Sequence, residues 1–132
     1  MRAINVRIPL AKRILDFGCG RGWFLAEAQV NGNPVRVGVD YSQESLAGHG
    51  VPMLQPDQAN LIHKLLADGL HLPFSEASFD VVIGHVSMPY MNTRAALREI
   101  YRVLAPGGSF LLTFHNFYCL RQRLLKSLAS AH

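Results

Sequence analysis

The residues with the clearest chemical potential are three alternating glycines in the segment ILDFGCGRG, residues 14–22. Gly18, Gly20 and Gly22 follow an apolar run and precede a helical pattern. Glycine lets a chain turn tightly and approach a ligand closely, because no Cβ atom stands in the way. We therefore expect a strand that ends in a glycine-lined bend at which a ligand binds.

The glycine spacing does not fit a dinucleotide-binding fingerprint. That fingerprint requires G-x-G-x-x-G, and its last glycine would fall at Trp23. A bulky indole at this position would hinder the close packing of helix against strand that glycine permits. A nicotinamide-dependent oxidoreductase is therefore only the third interpretation of this chain.

Three carboxylates accompany the bend. Asp16, Asp40 and Asp68 each lie at the end of a predicted strand, and Asp40 comes 20 residues after Gly20, the spacing of a carboxylate that binds ribose hydroxyls. Three carboxylates would repel a dianionic pyrophosphate and attract a cationic sulfonium that carries an ammonium group. Taken singly, each aspartate is equally well explained as a turn former. Taken together, they favour S-adenosylmethionine over NAD.

The elements that would position these residues alternate between strand and helix, which indicates an α/β fold with a parallel sheet. The predicted strands are 13–17, 35–40, 61–67, 79–86 and 109–115. The predicted helices are 22–31, 42–47, 92–104 and 118–129, with an irregular stretch at 48–60 and a loop at 70–78. The residues of helix 92–104 expected to face the sheet are Ala96, Leu97, Ile100, Val103 and Leu104, and Pro106-Gly107-Gly108 is expected to end this helix.

Composition limits the class of protein. Of 132 residues, 49% are hydrophobic and 17% are charged, which predicts one domain with an apolar core. The two cysteines are far apart, and neither they nor the histidines show metal-ligand spacing, so no metal site is expected. The sequence shows no signal-peptide pattern and no run long enough to cross a bilayer, so a cytoplasmic protein is expected.

The net charge of +4 is concentrated in residues 94–132. Arg94, Arg98 and Arg102 recur every four residues, which indicates one solvated face of a helix. Aromatic residues do not interleave with these arginines in a way that would favour nucleic-acid binding. Nucleic acid is therefore not expected as a partner.

Four segments together resemble the motifs of class I S-adenosylmethionine-dependent methyltransferases. They are ILDFGCGRG (14–22), GVDYS (38–42), ADGLHLPFSEASFDVV (67–82) and REIYRVLAPGGSFLLT (98–113). The closest group is type 11, often called ubiquinone-biosynthesis-like, and the resemblance covers roughly residues 13–114. It implies a Rossmann-like, open, mostly parallel sheet of strand order 3-2-1-4-5 with helices on both faces. It also implies S-adenosylmethionine as the cofactor and methyl transfer to an acceptor, which we expect to be a small molecule.

The resemblance implies which residues contact the methionine end of the cofactor. Gly18, Cys19 and Gly20 would line the methionine portion, and Gly22 completes the same bend. Asp16 would lie near the ammonium group.

The adenosine end is assigned in the same way. Asp40 would bind the ribose hydroxyls, and Tyr41 would pack on the adenine ring. Asp68 would accept a hydrogen bond from the adenine amino group, with Gly69 and Leu70 beside the ring.

The sequence does not identify a catalytic residue. Methyl transfer from a sulfonium is an in-line displacement, in which a protein mainly aligns and desolvates the acceptor. A general base is needed only when the acceptor is protonated at neutral pH. His85 and His115 end predicted strands at the active edge and are weak candidates for this base, and the resemblance also places His85 beside the cofactor.

The chain differs from typical family members at its ends. It begins almost at the first strand and lacks the usual C-terminal strand hairpin. Strand 109–115 would then be an exposed edge, which invites pairing with another chain. We expect residues 1–132 to form a single cofactor-binding core that is a fragment or that self-associates through this strand. A non-catalytic cofactor-binding module is the second interpretation.

Overall fold

The described part of the chain is organised around a sheet of five parallel strands. The computed structural model describes residues 7–8, 13–30, 32, 34–47, 62–85 and 91–113. In chain order the elements are β1 (Arg7–Ile8), β2 (Arg13–Phe17), α1 (Trp23–Glu27), β3 (Gln29–Val30), β4 (Val35–Asp40), α2 (Gln43–Ala47), β5 (Ile62–Leu66), β6 (Phe79–His85), α3 (Thr93–Val103) and β7 (Leu104–Thr113). The central sheet has the order β5-β4-β2-β6-β7, with every pairing parallel. This is the predicted order 3-2-1-4-5, which is confirmed.

Strand β2 carries core residues on both faces of the sheet. Four of its five residues are buried, as expected of a central parallel strand covered on both sides. Leu15 and Phe17 belong to one apolar cluster with residues of α3, whereas Ile14 packs in a second cluster with Leu25 of α1. Successive side chains of a strand point to opposite faces, so α1 and α3 cover opposite faces, as predicted.

The outermost strands of the described sheet are β5 and β7. Leu66 of β5 and Phe110 of β7 are each 57% exposed. The predicted edge at 109–115 is therefore an edge as far as Thr113, where the description of this segment ends. Self-association through this strand stays a prediction.

The helix predicted over 22–31 is wrong in its second half. Helix α1 ends at Glu27, and β3 comes next and pairs in parallel with β1. Arg36 of β4 donates a hydrogen bond from Nη1 to the carbonyl of Leu25, which satisfies an open backbone acceptor at the end of α1. The apolar pattern missed this ending, since the residues that contact it, in β1 and β4, are distant in sequence.

Helix α3 is close to its prediction. Asn92 caps it, since the Asn92 side chain accepts a hydrogen bond of 3.2 Å from the backbone amide three residues later. Ala96, Ile100 and Val103 are buried against the sheet, as predicted. Leu97 is 37% exposed, so its predicted place on the sheet face is wrong.

The prediction that Pro106-Gly107-Gly108 ends α3 is wrong. This run lies within β7. Helix α3 ends one residue before Leu104, which packs against the core and begins the strand. Pairing with β6 is irregular between Leu104 and Ser109. Gly107 has a φ of 75°, so this bulge favours glycine.

Several predictions concern residues outside the described part of the chain. They are the irregular stretch 48–60, the helix 118–129 and the ends of three strands at residues 61, 86 and 114–115. Among the described helices, none is both long and apolar enough to span a membrane.

Candidate functional site

The glycine-lined bend comes directly after β2. Gly18, Gly20 and Gly22 have φ values of 79°, 50° and 86°, which side-chain-bearing residues rarely adopt. The amides of Gly18 and Cys19 both donate to the carbonyl of Val39, at 2.8 and 2.9 Å. The bend is thus bonded to the neighbouring strand β4 at the carboxyl edge of the sheet, where parallel α/β folds bind ligands.

Asp40 holds the bend from the end of β4. Its Oδ2 accepts a hydrogen bond of 2.8 Å from the amide of Gly20, and its Oδ1 accepts one of 2.9 Å from the amide of Ser42. A carboxylate oxygen can accept more than one hydrogen bond, so both oxygens retain capacity for a ligand. The spacing of 20 residues noted in the sequence therefore corresponds to a direct contact between strand end and bend.

Asp16 is buried beneath the bend. It is 2% exposed, and its Oδ1 has no hydrogen-bond partner among the described residues. Burial, together with the negative charge of Asp40, raises the pKa of Asp16 to about 7. An unpartnered buried carboxylate of this kind favours a positive charge nearby.

Cys19 fills the space between the bend and β4. Its thiol lies against Gly38, where an added Cβ would be 2.5 Å from Sγ. Burial, and then the charges of Asp16 and Asp40, raise the pKa of Cys19 to about 12. The thiol is therefore protonated at neutral pH and acts as packing rather than as a nucleophile.

The replacement Gly38→Ala should lower the free energy of unfolding by about 1–3 kcal/mol, because the new methyl group meets Cys19. Denaturant unfolding measures this change. The cost should fall only in part in a Cys19→Ala background, since Sγ at 2.5 Å is then gone but the Cβ at 2.7 Å remains. Equal costs in both backgrounds would show that the contact with the Cys19 Sγ is not the cause.

The turn after β5 carries the predicted adenine residues. Asp68 is exposed, and its carboxylate accepts from the amide of Leu70 at 2.9 Å and lies 3.1 Å from Nδ1 of His71. The hydrogen bond from Leu70, then that from His71, holds the pKa of Asp68 below its usual range. A Cβ on Gly69 would lie 2.4 Å from the ring of Phe17, so this turn packs directly on the end of β2.

The predicted site residues are thus brought together unequally. Asp16, the bend and Asp40 form one contiguous group, whereas Asp68 lies on the adjoining turn with hydrogen bonds only to that turn. Tyr41 comes after Asp40 and is 76% exposed. Trp23 begins α1 and is 45% exposed, so the indole is not buried in the bend.

The two candidate bases are less well placed. The backbone of His85 ends β6 and pairs with Thr113 of β7, which puts this residue at the carboxyl edge of the sheet as predicted. Its side chain, and the whole of His115, lie outside what the structure describes. In the described chain, no group of three or more acidic, histidine or cysteine residues is arranged to hold a metal ion.

Lys64 is a residue of the site that sequence reasoning missed. Its Nζ donates to the carbonyl of Leu46 at 3.0 Å, and its stem lies 3.5 Å from the position of a Cβ on Gly22. Its positive charge partly offsets the rise in the pKa of Cys19. A lone lysine on an edge strand gave no sequence signal of this contact.

The chain is similar in sequence to known methyltransferases. A family model described as a methyltransferase domain matches residues 15–112. The chain is 35% identical over 107 residues to a malonyl-[acyl-carrier protein] O-methyltransferase of Erwinia billingiae, with 77% of this chain and 38% of that protein covered. It is 35% identical over 103 residues to a demethylmenaquinone methyltransferase of Roseiflexus castenholzii, with 76% and 42% covered.

A solved structure of an S-adenosylmethionine-dependent methyltransferase from Thermotoga maritima has the same fold. The TM-score is 0.65 over 95% of this chain and 54% of that chain, at 19% sequence identity. Similarity at this identity shows the fold alone.

A further relative bears on the expected partners. The chain is 29% identical over 103 residues to a Bos taurus protein named probable tRNA methyltransferase 9B, with 75% of this chain and 20% of that protein covered. This similarity weakens the sequence-based expectation that excluded nucleic acid. The chain spans about two fifths of the length of the two bacterial relatives described above.

Proposed function

The chain belongs to the class I S-adenosylmethionine-dependent methyltransferases, as the family model over residues 15–112 shows, and on this premise we propose that it transfers a methyl group from S-adenosylmethionine to a small-molecule acceptor. The observation that carries the proposal is the glycine bend held by Asp40 above the buried, unpartnered Asp16. This arrangement offers negative charge and close backbone approach at one edge of the sheet. Both are what a cationic adenosyl ligand requires.

We propose that Asp40 binds the ribose hydroxyls. Its two oxygens are already oriented by the amides of Gly20 and Ser42, so the carboxylate needs no rearrangement to accept further hydrogen bonds. Tyr41, beside it, is exposed and available to stack on the adenine ring.

The methionine end would lie along the bend from Gly18 to Gly22. Asp16 is 2% exposed, so we propose that it attracts the ammonium and sulfonium groups across the bend rather than through an open surface contact. Its unpartnered Oδ1 supports this role, since a buried carboxylate without a partner is costly unless a positive charge comes near. The residues present therefore fit the cofactor.

The adenine ring would lie beside the turn after β5. Asp68 would accept from the amino group, with Gly69 and Leu70 along the ring edge. Gly69 packs on Phe17, so this turn adjoins the strand from which the bend begins. The proposed adenine position is thus supported by the contact between this turn and the end of β2, next to the bend.

The proposed mechanism requires little covalent chemistry from the protein itself. When bound, S-adenosylmethionine supplies an electrophilic methyl group on a cationic sulfur. The chain would hold this donor in a fixed orientation, exclude water on the buried side and leave the carboxyl edge near His85 for the acceptor. His85 would hold or accept a proton only if the acceptor requires a base.

A small molecule is the proposed acceptor, and the cytoplasm is the proposed location. The names of the Erwinia and Roseiflexus relatives refer to malonyl-[acyl-carrier protein] and to demethylmenaquinone. The relative named for tRNA points to a different acceptor class. Labelled methyl transfer should be assayed with a malonyl thioester, a demethylated quinone and unmodified tRNA. Label in tRNA alone would contradict a small-molecule acceptor.

Cofactor binding is tested first by calorimetric titration of the folded chain. We expect saturable binding of S-adenosylmethionine and of S-adenosylhomocysteine, and none of NADH. No binding of either adenosyl ligand would refute the proposed function. Preferential binding of NADH would favour the oxidoreductase interpretation instead.

Residues 1–132 are proposed to form one cofactor-binding core that self-associates through β7. Phe110 is 57% exposed and Leu111 is 38% exposed on this outermost strand. Sedimentation velocity should therefore detect dimers, and Phe110→Lys should shift them to monomers, because a charged residue on a strand edge opposes pairing. Tyr101→Lys on α3 is the matched control, since Tyr101 is 83% exposed and belongs to the helix instead of to the strand edge. A monomeric wild-type chain would overturn the prediction.

A further inference from the structure

Glu99 and Arg102 form a paired clamp on helix α3. Nε and Nη2 of Arg102 donate hydrogen bonds of 2.8 Å to Oε1 and Oε2 of Glu99, respectively. This two-point contact fixes the orientation of both side chains. The side chains of Arg102 and Glu99 are 30% and 18% exposed, so the pair is partly shielded from solvent.

The clamp bonds to the backbone of the segment between β5 and β6. Oε2 of Glu99 accepts from the amide of Leu72 at 2.7 Å, and Nη2 of Arg102 donates to the carbonyl of the same residue at 3.0 Å. Nη1 of Arg102 donates to the carbonyl of Phe74 at 2.7 Å. The backbone carbonyl of Arg102 accepts from the amide of Ala77 at 3.0 Å. Three points of one irregular segment are thus held by two residues of one helix.

The clamped segment begins with the Asp68–Leu70 turn. The hydrogen bonds of Asp68 are made within its own turn, so they shape the turn without fixing its place on the sheet. That place depends on two contacts at its start and on the clamp at Leu72 after it. The first two are the hydrogen bond of 2.9 Å from the amide of Ala67 to the carbonyl of Asp40 and the packing of Gly69 on Phe17. Leu72 is buried, which anchors its side chain but leaves the direction of its backbone to the clamp.

We propose that Glu99 and Arg102 are positioning residues for the adenine end of the cofactor site. They contact no part of the ligand themselves and act by setting the backbone from which Asp68 reaches the adenine amino group. This inference rests on the proposed function, because it assumes that the Asp68 turn receives adenine.

The backbone hydrogen bonds of the clamp give it a directional, positioning role in addition to a stabilising one. An ion pair near the surface contributes little stability by itself. Hydrogen bonds from charged groups to backbone are stronger and directional, and three of them act here on the backbone of Leu72 and Phe74. The hydrogen bond from Arg102 also holds the pKa of Glu99 below its usual range, which keeps the acceptor ionised at neutral pH.

The arginine spacing in the sequence concealed this role. Arg94 and Arg98 are exposed as predicted, but Arg102 points toward the 68–78 segment instead of joining them on one solvated face. Each step of four residues advances about 40° around a helix, so the third arginine is rotated about 80° from the first.

The test compares two ligands that differ at the adenine amino group and at the adjacent ring nitrogen N1. S-adenosylhomocysteine carries the amino group, whereas S-inosylhomocysteine carries an oxygen in its place and a proton on N1. The Asp68→Ala variant is the reference, because it shows how far the difference in affinity between the two ligands falls when the proposed adenine contact is removed. Arg102→Lys should weaken the binding of S-adenosylhomocysteine by roughly fivefold to tenfold and leave the binding of S-inosylhomocysteine nearly unchanged. The reason is that Lys keeps the positive charge but loses the paired guanidinium donors. Calorimetric titration measures the affinity of each protein for both ligands.

The matched control is Arg98→Lys, on the same helix but exposed. It should leave both affinities unchanged. The exchanged pair Glu99→Arg with Arg102→Glu restores opposite charges but not the backbone hydrogen bonds, so it should not restore discrimination. If Arg102→Lys does not fold, Glu99→Gln is the milder substitute, because Gln keeps one acceptor for Leu72.

The outcomes separate the inference from the function on which it rests. Equal weakening of both ligands in Arg102→Lys would assign the clamp a merely structural role and overturn the inference. Full recovery by the exchanged pair would overturn it as well. Failure of the wild-type chain to bind S-adenosylhomocysteine would refute the proposed function and the inference together. Selective loss for the amino-bearing ligand supports it.

Discussion

Replacing Asp40 with alanine should weaken the binding of S-adenosylmethionine by roughly 100-fold or more, because two hydrogen bonds from ribose hydroxyls to a charged group contribute about 1.5–3 kcal/mol each. The same change removes the acceptor of the Gly20 and Ser42 amides. The bend would then lose part of its preorganised shape. Calorimetric titration with S-adenosylhomocysteine measures the loss without turnover.

Two comparisons separate a ribose contact from disruption of the bend. A ligand without the ribose 2′-hydroxyl should bind the wild-type chain more weakly, but should lose much less than the parent ligand on going to Asp40→Ala. This non-additivity is the signature of a direct contact. Glu44→Ala removes an exposed carboxylate from the neighbouring helix α2 and controls for the loss of charge alone. Fully additive losses would show that Asp40 acts only through the bend.

Asp16 should make the chain less stable as the pH rises from about 4 to about 7. Its pKa is raised to about 7 in the folded chain, above the value of about 3.9 expected when unfolded. Within this window the folded state keeps a proton that the unfolded state has released, so the free energy of unfolding falls as the pH rises. The accumulated loss is up to roughly 4 kcal/mol, and above the folded pKa it grows no further.

Asp16→Asn should remove this pH dependence, because asparagine mimics the protonated side chain and does not titrate. Above pH 7 the variant should be more stable than the wild-type chain, with the difference vanishing near pH 4. Denaturant unfolding at several pH values gives the comparison. Asp68 and Glu99, whose pKa values are lowered, contribute in the opposite direction in both proteins and cancel in the difference.

The same carboxyl group should couple cofactor binding to proton release. A cationic ligand favours the ionised form of Asp16, so binding near pH 6 should release part of a proton from the wild-type chain and none from Asp16→Asn. Titrations in buffers of different ionisation enthalpy measure the proton count. Asp40→Asn should lower the pKa of Asp16, since the neighbouring negative charge is gone. The fall in the free energy of unfolding should then end at a lower pH. Parallel stability curves for Asp16→Asn and wild type would contradict the assignment.

Local sequence predicted the residues that line the site but not how they are connected. The glycine spacing, the alternation of strand and helix and the carboxylates at strand ends are all readable within a few residues. The hydrogen bond between Asp40 and Gly20 agrees with them, because parallel strands end at one edge. Burial of Asp16 without a partner could not be predicted in this way, since it depends on the residues that pack above the strand.

Where the sequence misled, the missing information was a contact with a distant residue. Helix α1 ends at Glu27, where Arg36 bonds to the carbonyl of Leu25 and β3 pairs with β1. The apolar pattern contains neither partner. Leu97 has the right residue type for the core, but its position on α3 turns it outward. The spacing of Arg102 predicts a third solvated arginine. Its partner Phe74, in the 68–78 segment, is 28 residues away in the chain and contacts it only in the folded protein.

The amino-acid sequence by itself determined the class of fold, the glycine bend and the acidic character of the edge, because these depend on residue type and short-range periodicity. Tertiary structure alone decided the proton affinity of Asp16, the inert packing of Cys19 against Gly38 and the clamp from Glu99 and Arg102 to Leu72. These properties arise from desolvation and from hydrogen bonds between distant segments. Both exist only once the strands have paired and the helices have covered them.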